Sequence, residues 1–416
     1  MNLISTSLYT GIATLVRTIS GFVLNKILAI YVGPSGLAFI GQFQSFVGMV
    51  LQFASGAINT GVVKYTSEFR SAEEEKKKIF STALCIGVIA SIPVAIILLI
   101  FAVDFSKFFF KTEAFANVFR VFSLTLLLYV LNNLLMSILN GQQEIKRYTL
   151  VNIVSSIIGL LLTSFLLYIW GLQGALFAMV TNQSIVFFVT LILVIKSSWF
   201  RISSFTMGCD KAYLKKFLRY ASMALVSALV VPLSQIFLRD YAAYELGWEK
   251  VGYWEAMVRL SNAYLILITS TLSVYYLPKL SELKTSREIR REVLYGYKII
   301  IPILLVFAIS LFSLRDWVIV VLFSTDFLEM RELFVAQLLG DFIKICAWIL
   351  ANIMLAKAMS RLYIISEILF CSTLVILSIW FVRHFGLIGL VYAYSVNYFL
   401  YFIFNIFCFK NILLSK

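Results

Sequence analysis

The sequence has little charge. Asp, Glu, Lys and Arg make up 13% of its 416 residues, whereas a typical soluble domain has about 25%. Hydrophobic residues make up 61%, and long apolar runs recur along the whole chain. No sizeable soluble domain fits between these runs. The sequence therefore predicts an all-α integral membrane protein.

Residues that support common enzyme chemistry are also scarce. His384 is the single histidine, which argues against a histidine-based metal site or triad. The five cysteines contain no C-x-x-C pair and indicate structural thiols. No G-x-x-x-x-G-K-[ST] motif occurs, so ATP hydrolysis is not expected. We predict no enzyme, metal or cofactor. A membrane glycosyltransferase or polymerase is the weaker alternative, because no large periplasmic loop is present.

About twelve transmembrane helices follow from a minimum of about twenty apolar residues per crossing. We expect two six-helix bundles, formed by residues 1–200 and 201–416. The predicted spans are 8–32, 35–62, 79–103, 115–139, 149–169, 174–195, 217–239, 252–277, 298–316, 332–356, 362–382 and 388–408.

Basic residues are distributed unevenly between the connecting segments. With a cytoplasmic N-terminus, 23 of the 35 Lys and Arg residues fall in cytoplasmic segments. The positive-inside rule therefore predicts that both termini are cytoplasmic. The same rule accounts for most of the net charge of +14, so no nucleic-acid partner is expected.

The two halves of the chain share a spacing of glycines. A shift of 214 positions places Gly33 on Gly247, and a shift of 215 places the Gly171-Leu-x-Gly174 motif on Gly386-Leu-x-Gly389. Six helices per half give both halves the same orientation. The pattern therefore predicts a parallel repeat around a pseudo-two-fold axis along the membrane normal.

Basic residues within the predicted spans are the strongest candidates for ligand binding, because a charge at membrane depth is costly. Arg17 lies on a polar face of the first helix, and Lys26 lies nearer its end. Arg259 and Lys344 lie on polar faces of later helices. Together they predict a water-filled, cationic central cavity that would bind phosphate or diphosphate.

Acidic residues on the same faces leave a second interpretation open. Glu255 precedes Arg259 by four residues, and Asp341 precedes Lys344 by three, so each pair could neutralise itself or hold helices together. Alternatively, a ligand that engages Lys344 would free Asp341 to take up a proton. Glu367 is the second candidate for coupling to an H⁺ or Na⁺ gradient.

Several segments resemble Wzx-type lipid-linked oligosaccharide flippases. They are residues 252–264, 273–280 and 337–344, the Gly33-Pro-Ser-Gly36 motif, and the segment that ends at Lys64-Tyr65. The resemblance covers essentially the whole chain. Charged positions associated with this family match Lys26, Lys64, Asp341, Lys344 and Lys357, whereas Glu255 and Arg259 depart from its pattern.

The resemblance implies the fold of the multidrug/oligosaccharidyl-lipid/polysaccharide exporter superfamily. It implies an undecaprenyl-diphosphate-linked O-antigen repeat unit or similar cargo, moved by alternating access from the cytoplasmic to the periplasmic leaflet of the bacterial inner membrane. A polysaccharide polymerase and a chain-length regulator would be the partners in lipopolysaccharide biosynthesis. A drug/cation antiporter of the same superfamily is the alternative, for which an acidic or neutral cavity is expected.

Overall fold

The computed structural model describes the backbone of residues 3–206, 208–283, 285–357 and 359–413. Side chains are described for the same residues except 3–10, 219, 220, 222–224, 270, 271, 273–275, 277, 278 and 360. Every regular element within these ranges is a helix. The predicted all-α class is confirmed.

The chain forms two compact units. Unit 1 comprises residues 1–32 and 39–232, and unit 2 comprises residues 33–38 and 233–416. The division at Pro232 falls inside a helix, whereas the sequence placed the joint between residues 200 and 201. The predicted bundle boundaries stay a prediction.

Unit 1 is built from six helices and the first part of a seventh, together with a short 3₁₀ turn at Ile202–Phe205. Its buried core contains Phe80, Ile138 and Phe217. The helices are α1 (Leu3–Ala54), α2 (Asn59–Glu68), α3 (Glu73–Ile100), α4 (Ala102–Phe110), α5 (Ala116–Gly141), α6 (Ile145–Ile195) and α7 (Lys211–Leu246).

Unit 2 contains the end of α7, the remaining helices and a 3₁₀ segment at Thr325–Leu333. A buried cluster around Leu280, Ile349 and Phe409 forms its core. The helices are α8 (Trp248–Glu282), α9 (Ser286–Ser313), α10 (Arg315–Leu322), α11 (Phe334–Ala356), α12 (Ser360–Phe385), α13 (Ile388–Cys408) and α14 (Lys410–Leu413).

Two of the helices are too long for one membrane crossing. At 1.5 Å per residue, the 51 residues of α6 would extend about 75 Å. A break at Gly171, with φ of 56°, divides α6, and a break at Gly33, with φ of 63°, divides α1. Both breaks fall between predicted spans. Glycine occupies both positions because only glycine adopts these φ values without strain.

The repeated glycine motif forms the same local structure twice. Gly171 and Gly386 have φ of 56° and 61°. Three residues later, a Cβ on Gly174 would lie 1.9 Å from the carbonyl oxygen of Leu166, and one on Gly389 would lie 2.3 Å from that of Phe381. Each motif is a tight reversal in which a helix start packs against the preceding helix end.

Nine helical stretches of the described residues are long and apolar enough to cross a membrane. Large apolar side chains such as Ile100, Leu161 and Phe165 are exposed, as expected for surfaces that contact lipid. The chain is therefore a multi-pass membrane protein. The number of about twelve crossings and the parallel repeat stay predictions.

Candidate functional site

Asp341 lies at the centre of a polar cluster in unit 2. Its side chain is 3% exposed. Ser261 Oγ lies 2.9 Å from Oδ1 and 2.8 Å from Oδ2, and the hydroxyl of Tyr264 donates to Oδ2. Tyr394 donates to Oδ1 over 2.6 Å, and Gln337 Nε2 over 3.2 Å. Neutral donors on α8, α11 and α13 thus satisfy the carboxyl group.

Lys344 lies one helical turn beyond Asp341, against two aromatic rings. Its Nζ is 5.5 Å from the ring centroid of Tyr394 and 5.1 Å from that of Tyr398. A cation at this distance from an aromatic face is attracted by the ring quadrupole. Tyr394 therefore contacts Asp341 through its hydroxyl and Lys344 through its ring.

The close packing of α11 and α13 at this point depends on Gly340. A Cβ at Gly340 would lie 2.6 Å from Cδ1 of Tyr394 and 2.7 Å from Oγ of Ser395. The missing side chain lets the Tyr394 ring approach α11 closely, beside Asp341. Ser395 in turn donates to the carbonyl oxygen of Ala336 over 2.6 Å.

The direct ion pair between Asp341 and Lys344, one of the interpretations that their i,i+3 spacing left open, is not formed among the described residues. The hydroxyl groups of Ser261, Tyr264 and Tyr394 occupy the carboxylate oxygens, and the tyrosine rings hold the ammonium group.

Glu255 joins two arginines in a second buried cluster of unit 2. Arg259 Nε lies 3.0 Å from Oε1, as the i,i+4 spacing predicted. Arg239 on α7 binds Oε2 through both Nε and a terminal nitrogen, each at 2.9 Å. The Arg239 guanidinium also lies 5.8 Å from the ring of Trp254. The carboxylate of Glu255 is thus shared by two arginine side chains.

Sequence reasoning missed the part that Arg239 plays. Arg239 was not among the candidate binding residues, yet it is only 5% exposed. The available signal was its position as the last residue of the predicted span 217–239, where a charge is costly if it faces lipid. Its distance of sixteen residues from Glu255 lies outside any helical spacing, so only the packing of α7 on α8 reveals the contact.

Arg17 lines a cavity of about 120 Å³ in unit 1. The other lining residues are Ala13 and Thr14 on α1, and Tyr148, Thr149 and Asn152 on α6. Arg17 forms no ion pair with any described residue. A guanidinium beside hydroxyl and amide groups suits an anion with several acceptor oxygens.

The remaining predicted residues lie apart from these clusters. In unit 1, Lys26 is half-buried on α1, and exposed Lys64 lies 5.4 Å from the ring of Tyr65. In unit 2, exposed Lys357 donates to the carbonyl oxygen of Leu283 over 2.5 Å. Glu367 is half-buried on α12, and no contact among the described residues links it to Asp341. Their roles stay predictions.

No group of three or more His, Cys, Asp or Glu side chains that could hold a metal ion occurs within the described ranges. In the clusters around Asp341 and Arg17 a charged group lies among neutral polar groups, whereas Glu255 is paired with two arginines. Such an arrangement suits reversible binding of charged groups in a membrane.

Comparison with solved structures shows the fold. The inward-facing conformation of a multidrug resistance MATE family transporter of the MOP superfamily matches with a TM-score of 0.81 and 16% identity, covering 97% of this chain and 99% of that one. The inward closed conformation of the lipid II flippase MurJ matches with a TM-score of 0.73 and 18% identity, covering 99% and 90%.

Sequence comparison gives the family. The lipid III flippase of Escherichia coli (strain K12) is 29% identical over 402 residues, which is 97% of both chains. The predictions of a resemblance to flippases and of a transporter rather than an enzyme are confirmed. The family model described as "Polysaccharide biosynthesis protein" matches residues 3–284, well over half of the sequence, so the chain belongs to this family.

Proposed function

We propose that this chain flips a diphosphate-linked lipid oligosaccharide from the cytoplasmic to the periplasmic leaflet of a bacterial inner membrane. The observation that carries the proposal is the Arg17 cavity. Arg17, which is exposed and has no acidic partner among the described residues, lines this cavity together with polar residues of α1 and α6. Multidentate anions such as phosphate esters are the ligands that such donors bind best.

The basic groups of unit 2 extend this argument. Arg259 shares the carboxylate of Glu255 with Arg239, and Lys344 is held by aromatic rings rather than by a carboxylate. Both can exchange their present contacts for an anionic ligand without leaving a buried carboxylate unpaired. Lys26, Lys64 and Lys357 are further candidate contacts along the path of the cargo, which would be an O-antigen repeat unit or a similar oligosaccharide on undecaprenyl diphosphate.

Asp341 is the candidate for coupling to an H⁺ or Na⁺ gradient. Its carboxylate is surrounded by hydroxyl and amide groups that can reorient when a proton or cation binds. Glu367 is the second candidate, and Glu255 is a weaker one because two arginines already neutralise it. No ATP-binding motif is present, which leaves an H⁺ gradient, an Na⁺ gradient or transport without an energy source.

The direct test is the fate of the cargo in cells that lack this chain. Deletion should cause undecaprenyl-linked oligosaccharide to accumulate in the cytoplasmic leaflet and surface polysaccharide to disappear, and the wild-type gene should restore both. Unchanged surface polysaccharide together with increased sensitivity to cationic drugs would instead indicate a drug/cation antiporter. The buried carboxylate of Asp341 is the feature that favours this second candidate.

The proposed orientation has its own test. Cys209 is exposed and lies in a segment predicted to be cytoplasmic. In a variant that keeps Cys209 alone, an impermeant thiol reagent should label it only after the inner membrane is opened. A cysteine at Thr112, in a predicted periplasmic segment, should be labelled in intact cells. The opposite pattern would invert the topology.

A further inference from the structure

A second cavity of unit 1, about 220 Å³ in volume, is lined by residues of α3, α5, α6 and the chain that follows α6. Every described residue that lines it is Leu, Ile or Phe, and none of them lines the Arg17 cavity. An apolar cavity of roughly 150 Å³ stays free of water and binds a hydrocarbon such as benzene. The lining of this larger cavity therefore suits a hydrocarbon ligand.

The cavity lies near one end of the membrane-spanning helices. Leu191 precedes the last residue of α6, Ile195, by four positions, and Leu135 precedes the last residue of α5, Gly141, by six. At 1.5 Å per residue, both lie about 6 to 9 Å from the helix ends, which are cytoplasmic in the predicted topology. The headgroup region of a leaflet is about 5 to 8 Å thick. A lipid whose phosphate is level with the helix ends would therefore place its acyl chains at the depth of the cavity.

The chain that follows α6 forms one wall of the cavity. Phe200, Ile202 and Phe205 belong to this wall. The ring of Phe205 stacks on Phe80 of α3, with 5.6 Å between the ring centroids, so the 3₁₀ turn is held against the helices. Ile202 is 74% exposed. This wall therefore reaches the surface of the protein, where a lipid chain can enter.

Arg201 lies between two residues of this wall, Phe200 and Ile202. It is exposed, and no salt bridge among the described residues joins it to an acidic group. Its charge acts on Glu73, the first residue of α3, so Arg201 is close to a helix end. The carboxylate of Glu73 is bonded to Lys76 at 2.5 Å. Basic residues at this level attract the anionic lipids of the cytoplasmic leaflet.

We propose that this cavity binds an acyl chain of an anionic phospholipid from the surrounding leaflet, with Arg201 in contact with the lipid phosphate. An apolar cavity and an adjacent basic group match the two parts of such a lipid. The site goes beyond the proposed function, because it serves a lipid of the bilayer and does not depend on which cargo is moved. A ligand that binds only the folded chain stabilises it, so the bound phospholipid stabilises unit 1.

The test uses the purified full-length protein, stripped of lipid in detergent and titrated with phosphatidylglycerol. Native mass spectrometry gives the affinity of the most tightly bound lipid, and thermal unfolding gives Tm. Leu191→Trp fills the cavity and should weaken binding about tenfold, while Tm without lipid stays equal or rises. Arg201→Gln should weaken binding about fivefold, which corresponds to about 1 kcal/mol for one basic residue near a membrane surface. It should affect zwitterionic phosphatidylcholine less.

Two variants serve as matched controls. Leu161→Trp makes the same substitution on α6 at a position that is 63% exposed and outside the cavity. Arg70→Gln removes another exposed arginine of unit 1, which contacts Gln143 over 2.8 Å. Neither control should change the affinity for phosphatidylglycerol. The rise in Tm on addition of this lipid should be as large for both controls as for the wild type and smaller for Leu191→Trp and Arg201→Gln.

Three outcomes would overturn the proposal. Leu191→Trp could change the affinity no more than Leu161→Trp, or Arg201→Gln no more than Arg70→Gln. Phosphatidylcholine could bind as tightly as phosphatidylglycerol, which would remove the role of charge. Undecaprenyl diphosphate at equal concentration could displace phosphatidylglycerol, which would make the cavity a site for the cargo. Retention of phosphatidylglycerol in this competition would support the phospholipid site, whether or not the chain transports that cargo.

Discussion

Tyr394 donates a hydrogen bond to Asp341 over 2.6 Å, and the two residues lie on different helices 53 positions apart in the sequence. The ring of the same tyrosine lies below the ammonium group of Lys344. Asp341 and Lys344 therefore interact through a shared neighbour and not through a direct ion pair. A change in the charge of Asp341 would alter the contact of Tyr394 and, through it, the surroundings of Lys344.

Replacing Tyr394 by Phe should separate these two contacts. The variant keeps the ring for Lys344 and removes the hydroxyl that binds Asp341. Hydrogen bonds between membrane helices contribute about 0.6 kcal/mol on average and up to about 1.7 kcal/mol, so a lower Tm in detergent is expected. Tyr398→Phe is the control, because Tyr398 contacts Lys344 through its ring. Equal Tm values for the two variants would contradict the assigned hydrogen bond.

Asp341→Asn should separate transport from its energy source. The carbonyl oxygen of asparagine can still accept from Tyr394 and Ser261, and its NH2 group can donate to Tyr264 if that hydroxyl rotates, but the side chain cannot release a proton near neutral pH. We expect the variant to insert, to bind cargo and to lose its response to a pH or Na⁺ gradient. Flipping by purified protein in liposomes, with and without a gradient, is the measurement. Gradient-driven flipping at the wild-type rate would eliminate Asp341 as the coupling residue.

Glu255→Gln should be strongly destabilising. Removing one partner of a buried ion pair costs about 3–5 kcal/mol, and this change leaves both Arg239 and Arg259 without their carboxylate. Glu245→Gln is a suitable control. Its ion pair with Arg383 has an N···O distance of 3.8 Å and is much more exposed, so less than about 1 kcal/mol is expected. Denaturant unfolding in detergent measures the free energy of unfolding of both variants. A loss for Glu255→Gln as small as that for Glu245→Gln would show that Glu255 carries no structural role.

Arg17 variants should affect function more than folding. Arg17→Lys keeps the charge and should retain partial activity, whereas Arg17→Gln should lose most surface polysaccharide while the protein remains in the membrane. Arg120→Gln removes an exposed arginine that contacts Asn117 and should leave surface polysaccharide unchanged. Normal surface polysaccharide from Arg17→Gln at native expression levels would rule out the proposed role.

Gly174→Ala should prevent correct folding. The new Cβ would lie 1.9 Å from the carbonyl oxygen of Leu166, a backbone atom that cannot move without disrupting the reversal after Gly171. Gly48→Ala in α1 has nothing within 4 Å of the added Cβ and should raise stability by up to about 1 kcal/mol through helix propensity. Membrane-inserted yield and Tm report both effects. Wild-type behaviour of Gly174→Ala would contradict this packing.

The sequence by itself determined the class of the protein and much of its local structure. Hydropathy and span length depend on neighbouring residues alone, so they identified a membrane protein built from long helices. The i,i+4 contact of Glu255 with Arg259 follows from helical spacing and was one of the interpretations that the sequence left open. The paired glycines at 171 and 386 were visible as a repeat, because a left-handed backbone conformation strongly favours glycine wherever it occurs.

Only the tertiary structure decided which groups satisfy the buried charges. Ser261 and Tyr264 come to Asp341 from positions 80 and 77 residues away, and Arg239 reaches Glu255 through the packing of α7 against α8. The sequence favoured Lys344 as the partner of Asp341 because the two are close on one helix. In the folded protein, donors from α8 and α13 bind the carboxylate, and the ammonium group of Lys344 lies over the rings of Tyr394 and Tyr398 instead.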